Sequence, residues 1–462
     1  MDNQKNIIIN RSIGETRMAL MNKGIVTDIR LYRDHEPSYV GAVYLGRVKK
    51  LSSELQAAFV ELGNGVDGFL PLKNLPKERG KKPADLTTLL HEGQSLIVQV
   101  TSDAAGDKSP KLTARPELIS TAIVLHPFRL GAYVSSRIKN PDRRAELKEF
   151  GEELIPDYLG MTFRTEAENI PNDQLKQTAT QMVDHWRAIT KGLKTKKCPS
   201  LLTQGPEPIE QIMREFSAPD IDNIIIDQPS VQALAANWAK SFAPDQLPKI
   251  TAYKESGAIF DTYGVSDDLE GIAEAHVALT SGAWITIEAT EALTAIDVNM
   301  GSALISSDKE TQIFAINREA AREVFRQVRL RGIGGLIIID FIDMSDKGKV
   351  KSLLHFVDEL MLLDTLPIQR GNMSSFGLLE LSRKSLQLSL NNQILERRSL
   401  IKNTATSCLD QIRKAESDAK TSPGLPVTIK VNKTAKKWLE NHSEIFDNFK
   451  ARTGSELKME LT

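Results

Sequence analysis

The sequence predicts a multidomain α/β (α+β) chain, and three observations carry that expectation. At 462 residues with 41% apolar content, there is material for about three or four packed units. Residues 38–115 run as short alternating strands separated by turns, the pattern of a small all-β domain. From residue 276 onward, strands alternate with amphipathic helices, which is the order of an α/β sheet.

Taken in order, NIIIN and ETRMALMNKGIVTDIRLYR, within residues 5–35, read as strands. GAVYLGRVKKL, ELQAAFVELG and VDGFLPL follow with period 2, and Gly63-Asn64-Gly65 between the last two signals a hairpin. LIVQVTSD at 96–103 adds a strand, so 38–115 is expected to close as a β-barrel of the OB type. Between 116 and 205, IVLHP and MTFRT read as strands. NDQLKQTATQMVDHWRAITKGLK reads as a helix, with KTKK its solvated end. NIIIDQP and KITAYKES resume strand texture. WITIEAT and LTAIDVN are strands joined by a short turn. ETQIFAINREAAREVFRQVRLR is a long amphipathic helix with Ser306, Ser307 and Asp308 as candidate caps. Gly334 and Gly335 break it before the strand LIIID, and VKSLLHFVDELML is helical. From about 394, a helix, the break SPGLP, the strand VTIKV, a helix and a final strand predict a small separate α/β module.

Composition narrows the function. A net charge of -1 gives no bulk attraction for a polyanion, so any nucleic-acid site must be a local patch. Cys198 and Cys408 lie far apart, without a CxxC or a nearby His pair. That excludes a recognisable zinc motif and a disulfide scaffold, and fits a reducing compartment. MDNQKNIIINRS lacks the apolar core of a signal peptide, and no run approaches about 18 apolar residues. The expectation is a soluble intracellular chain with no membrane partner.

Two apolar strands end in acidic groups. ALTAIDVNMGS (292–302) carries Asp297 and, one side-chain repeat later, Asn299; LIIIDFIDM carries Asp340 and Asp343. A lone aspartate in such a place is usually solvated or caps a helix. Here one helical crossover makes the two strands neighbours, and α/β sheets place their chemistry at such strand ends. The pair Asp297 and Asp340 suits a hard cation, because Mg2+ takes one or two carboxylates, several waters and substrate phosphates. Asn299 could orient a water or a phosphate oxygen. Paired carboxylates also serve glycoside hydrolysis, which brings aromatic sugar platforms. Trp284, Phe314, Phe325, Phe341, Phe356 and Phe376 read instead as core.

TEALTAIDVN, the helix running into RQVRLRGIGGLIIIDFIDM, and FGLLELSRK resemble, in order, the ribonuclease E/G family of bacterial endoribonucleases. The likeness spans about residues 5–390. It implies that Asp297 and Asp340 hold a catalytic Mg2+, with Mn2+ the alternative, and that Asn299 positions the nucleophile or the phosphate. Asp343 and Glu291 would support them. It implies an RNase H-like subdomain from residues 1–37 and 206–272, interrupted by an S-one-type OB barrel (38–115) and a 5′-phosphate sensor (116–205). A DNase I-like catalytic domain (273–393) and a helical connection with a small C-terminal domain (394–462) would follow. The family's RNA-anchoring residues match Phe59, Phe69 and Lys108, with the basic loop KERGKKP nearby. Its sensor for a 5′-monophosphate matches Arg164, Thr165 and the backbone of Val124, although Ser120 stands where the family usually has glycine.

The implied activity is Mg-dependent cleavage of single-stranded RNA in the cytoplasm, in mRNA decay and processing of rRNA precursors. It would leave 5′-phosphate and 3′-hydroxyl ends and favour 5′-monophosphorylated substrates. The alternative is an RNA-binding family member with weak or lost nuclease activity. Three departures qualify the likeness. The family's CPxC zinc link is replaced by LNNQILERRSLIKNTATSCLDQ, so no zinc is expected and any homodimer would use a zinc-independent interface. The loop MGSALISSDKE has no arginine, and DTLPIQRGNMSSFG has only Arg370. Without a long disordered scaffold, the chain resembles the short, ribonuclease G-like form.

Overall fold

The computed structural model describes residues 4–63, 65–76, 86–104, 109–290, 292–301, 308–384, 390–396 and 401–461. The chain divides into two compact units: Met1–Glu36, Asp222–Gln228 and Ala252–Thr462 form one, and Pro37–Ile221 and Pro229–Thr251 the other. It is a mixed α/β protein.

In the second unit, the strands Val43–Ser52, Ala57–Glu61, Asp67–Pro71, Lys111–Thr113 and Ser95–Ser102 pair in that order. Antiparallel pairing of the first with the last, from Val43↔Gln99 to Arg47↔Ser95, closes a five-strand barrel. Val48, Val60, Leu70, Val98, Val100 and Leu112 fill it. The expected hairpin turn is present: Leu62 donates to the Val66 carbonyl at 3.0 Å, and Gly63 and Gly65 both have positive φ. Next come Gly131–Val134, Gly160–Phe163, Ile123–His126 and Leu118–Ile119, neighbours in a four-stranded sheet. Helices Pro141–Leu154 and Asn172–Thr190 cover it through Leu147, Leu175, Met182 and Trp186.

In the first unit, Lys5–Ser12 lies between Asn223–Ile226 (parallel) and Glu15–Asn22 (antiparallel), with Ile25–Arg33 beyond. A second sheet has the order His276–Ala278, Trp284–Ala289, Leu293–Asn299, Gly335–Asp340, Leu378–Arg383, Ile368–Met373. Its parallel neighbours are Leu293–Asn299 and Gly335–Asp340, joined by the crossover helix Lys309–Leu330. Asp308 caps that helix, accepting the Thr311 N–H at 3.1 Å; Ser306 and Ser307 lie outside the described residues. Period 2 sends Ile285, Ile287, Ile296, Val298, Ile337, Ile339, Leu379 and Leu381 into one core with Val324, Phe325, Leu353 and Val357 of the covering helices. The other face of the strands bears Trp284, Thr286, Asp297, Asn299, Leu336 and Asp340, all at least partly exposed.

This geometry corrects two of the expected core aromatics. Phe325 and Phe341 are buried, and Phe314 and Phe356 pack at the core edge. Trp284 is instead 36% exposed on the open face, and Phe376 is 84% exposed in a turn outside the alternating strands. The C-terminal module builds its own core from Leu409, Ile412, Val431, Leu439 and Phe449, joined by Ile13. Ser12 Oγ donates to Glu416 Oε2 at 2.6 Å, and Arg413 reaches Glu15 at 2.7 Å.

Candidate metal and phosphate sites

Asp297 and Asp340 are Cα partners on the two parallel strands, so their carboxylates share the open face and both are exposed. Asn299, one repeat beyond Asp297, donates its amide to Asp297 Oδ2 at 2.7 Å. Asp340 is held above the ordinary carboxylate range by partial burial, and then by the like charges of Asp297 and Asp343. Carboxylates so crowded are hard oxygen donors wanting a cation. Among the described residues, no group of three or more His, Cys, Asp and Glu has metal-holding geometry. What the face does present is two carboxylates, the number of protein ligands with which a hard cation can bind when its other ligands are water and phosphate. Glu291 lies outside the described residues.

The loop carrying Asp343 is fixed by a residue the sequence reading missed. Asn317, fully buried on the crossover helix, donates Nδ2 to the Ile342 carbonyl at 2.8 Å and accepts the Ile342 N–H at 3.1 Å. An asparagine on the apolar stripe of Ile313, Ile316 and Ala320 was the available signal. Gly377, at φ +80°, lets the following turn approach: a Cβ there would stand 3.2 Å from Asp343 Oδ1. Arg370, the arginine noted beside the site, is spent elsewhere. Its Nε and Nη2 contact Asp358 at 2.6 and 2.7 Å.

On the barrel, Phe59 and Phe69 are register partners with half-buried rings edge to face, centroids 5.8 Å apart. The register extends the row: Lys50 pairs with Phe59, and Lys111 with Phe69, both lysines exposed. Sequence reading missed these flanking cations, because only the pairing of strands brings them to the rings. Lys108 and the loop KERGKKP lie outside the described residues.

In the four-stranded sheet, Arg164 donates from Nη1 to the Ser120 and Thr121 carbonyls at 3.0 and 3.1 Å. Thr165 Oγ1 is 3.3 Å from Ser135 Oγ. Val124 is the neighbour of Thr162. Ser120 is buried, and its hydroxyl closes its own turn by accepting the Ile123 N–H at 3.0 Å. The neighbouring Thr121 hydroxyl is buried with no hydrogen-bond partner among the described residues.

Comparison with known proteins adds an independent finding. Residues 117–386 match the model described as the Ribonuclease E/G family, and residues 39–106 match the S1 RNA binding domain. The chain is 34% identical over 384 residues to Ribonuclease E of Escherichia coli (strain K12), covering 81% of this chain and 36% of that protein. Ribonuclease E of Buchnera aphidicola subsp. Schizaphis graminum is also 34% identical, over 81% of this chain and 40% of its own. The chain thus spans about two fifths of the length of these relatives. Ribonuclease G of Escherichia coli (strain K12) is 29% identical over 425 residues, covering 88% of this chain and 86% of that protein.

Proposed function

The chain belongs to the ribonuclease E/G family, and from that premise we propose that it is a cytoplasmic endoribonuclease cutting single-stranded RNA at the Asp297–Asp340 site. The observation that carries the reading is the in-register pair of carboxylates on an open sheet face, with Asn299 bonded to one of them. Asp297 and Asp340 would hold a divalent cation, Mg2+ by the donor set. When bound, such an ion stabilises charge on the phosphodiester and lowers the pKa of water. Asn299 steadies the Asp297 carboxylate through its amide, and its carbonyl oxygen would serve as an acceptor for a water at the phosphate. Hydrolysis there would add water across the P–O3′ bond, the hydroxyl going to phosphorus and a proton to the departing 3′ oxygen, and so leave a 3′-hydroxyl and a 5′-phosphate. Asp343, on the loop held by Asn317, keeps the local field negative and so favours cation binding.

Phe59 and Phe69 would stack unpaired bases while Lys50, Lys111 and Lys108 meet phosphates. Arg164 spends Nη1 on backbone carbonyls, leaving Nη2 to a terminal 5′-phosphate, with Thr165 adding a hydroxyl and Val124 its backbone. The Ser120 hydroxyl is engaged with the Ile123 backbone rather than offered to a ligand. The substrates would be mRNA and rRNA precursors. No helix of the described residues is long and apolar enough to cross a membrane. The domain limits given above and a zinc-independent homodimer belong to the same proposal.

A second reading, an RNA-binding member with weak cleavage, is favoured by the engagement of Arg370 with Asp358. Incubation with an AU-rich single-stranded RNA bearing a 5′-monophosphate separates the two. Cleavage should require Mg2+, vanish with EDTA, and be lost in Asp297→Asn and Asp340→Asn. Asn299→Ala should fall by about 10–100-fold, as for residues that orient a metal ligand. Tight binding without any cutting would leave only the second reading.

A further inference from the structure

Phe376 is the most exposed of the large apolar side chains on the described surface, at 84%. Single exposed hydrophobes are ordinary; the mounting of this one is not. Ser374 Oγ accepts the N–H groups of both Phe376 and Leu378, each at 3.2 Å. The Ser374 N–H donates to the Leu378 carbonyl at 2.9 Å, and the Gly377 N–H donates to the Ser374 carbonyl at 3.1 Å. A four-bond turn therefore presents a bare ring. Leu378 is the register partner of Asp340, so the Phe376 backbone lies within roughly 13 Å of the Asp340 backbone, one strand spacing plus two residues. The positive φ of Gly377 brings the same turn against Asp343.

On the opposite flank, Trp284 is the register partner of Asn299. Its ring is pressed by Gly301, and it is far less exposed. Of these two rings flanking the acidic pair, Phe376 is thus the open one. A ring carried on a turn whose backbone is already fixed needs no backbone ordering on contact, and every nucleobase offers it a π-face.

We propose that Phe376 is a stacking platform for one nucleobase next to the scissile phosphate, setting the position of the cut by gripping an unpaired base. The inference rests on the reading of Asp297 and Asp340 as the cleavage site. Deeply stacked or paired bases could not reach the ring, so the platform would itself select single-stranded substrate.

The test uses the full chain and a set of short 5′-monophosphorylated RNAs, each with one abasic position moved along the strand around the cut. For the unaltered protein, one abasic position next to the cut should raise KM by about 5–150-fold, the range for one lost base stack. Phe376→Ala should raise KM for the intact RNA to a similar extent and become indifferent to that abasic position, while Phe376→Trp restores both. An abasic profile unchanged in Phe376→Ala would overturn the proposal. A protein that cuts none of these RNAs sinks the cleavage reading instead. In that case 2-aminopurine in the same RNAs still decides: quenching at one position that persists in Phe376→Ala refutes the platform, and quenching that disappears supports it.

Discussion

Gly301, two residues past Asn299, shows how a single position shapes the site. Its φ is +57°, and a Cβ built on it would collide with the Gly282 carbonyl oxygen and the Trp284 ring. Gly301→Ala is expected to cost about 1–3 kcal/mol, the range for a residue held in a disfavoured conformation. Because part of the clash is with backbone, relief requires moving the Gly282 turn or the end of the Asp297 strand. The expected outcome is a lower Tm together with a lower kcat for RNA cleavage; unchanged kcat would show that the strand end tolerates the shift. At this scale the carboxylates were legible in the sequence, because period 2 alone sets Asp297 and Asn299 on one face. Asn317 was not. Its partner, Ile342, lies on a loop reached only when the crossover helix packs on the sheet. The ion pair of Arg370 with Asp358 was hidden for the same reason, since it joins a strand to a helix.

Among the elements, the motif FGLLELSRK divides its labour. Its start supplies the turn of Phe376 and Gly377, while Arg383 at its end is a buried clamp. Arg383 meets Asp364 with two bonds, Nε at 2.9 Å and Nη2 at 3.0 Å, and donates from Nη1 to the Ile333 carbonyl at 2.7 Å. The side chains are 2% and 0% exposed. The clamp joins the last residue of the strand Leu378–Arg383 to the chain just after helix Lys347–Met361 and just before the Asp340 strand. Asp364→Ala leaves a guanidinium buried and unpaired, and should destabilise this unit by about 3–5 kcal/mol. Replacing both partners together, Asp364→Leu with Arg383→Met, should cost less than the single change, because no charge is then stranded. Urea unfolding of the three proteins tests this, and a double variant less stable than Asp364→Ala would show that the pair is more than a satisfied charge. The strands and the crossover helix were readable from apolar period and glycine breaks. The clamp was not, because Asp364 and the Ile333 carbonyl meet Arg383 only once the strands and the helix are packed.

Across the whole molecule, the first unit is assembled from three separate stretches of chain, and its N-terminal strands close against its C-terminal module. Arg33 donates to Thr406 Oγ1 at 2.8 Å, and Arg452 to the Arg11 carbonyl at 2.7 Å. Sequence reading treated the tail as separate, since nothing local in it announces partners hundreds of residues away. His35 lies in this seam. Its ring meets Trp438 and His442 edge-on, at 5.1 and 5.2 Å, and its buried Nε2 has no hydrogen-bond partner among the described residues. Burial lowers its pKa below the ordinary 6.5; Arg33 and His442 push the same way, and Glu36 and Glu15 oppose them. The unfolded chain takes up a proton on this imidazole near pH 6.5 while the folded chain does not, so acid favours unfolding. The contribution of neutral His35 is thus fully present above pH 6.5 and is lost as pH falls through the lowered folded value. His35→Gln removes the titration but keeps a polar side chain of similar reach. Guanidinium unfolding of the two proteins at pH 7.5 and at pH 5 should show the stability gap moving toward His35→Gln on acidification, whatever the other carboxylates contribute to both. A gap independent of pH would mean that the seam opens to admit the proton, and that the two ends of the chain are held together without regard to this ring.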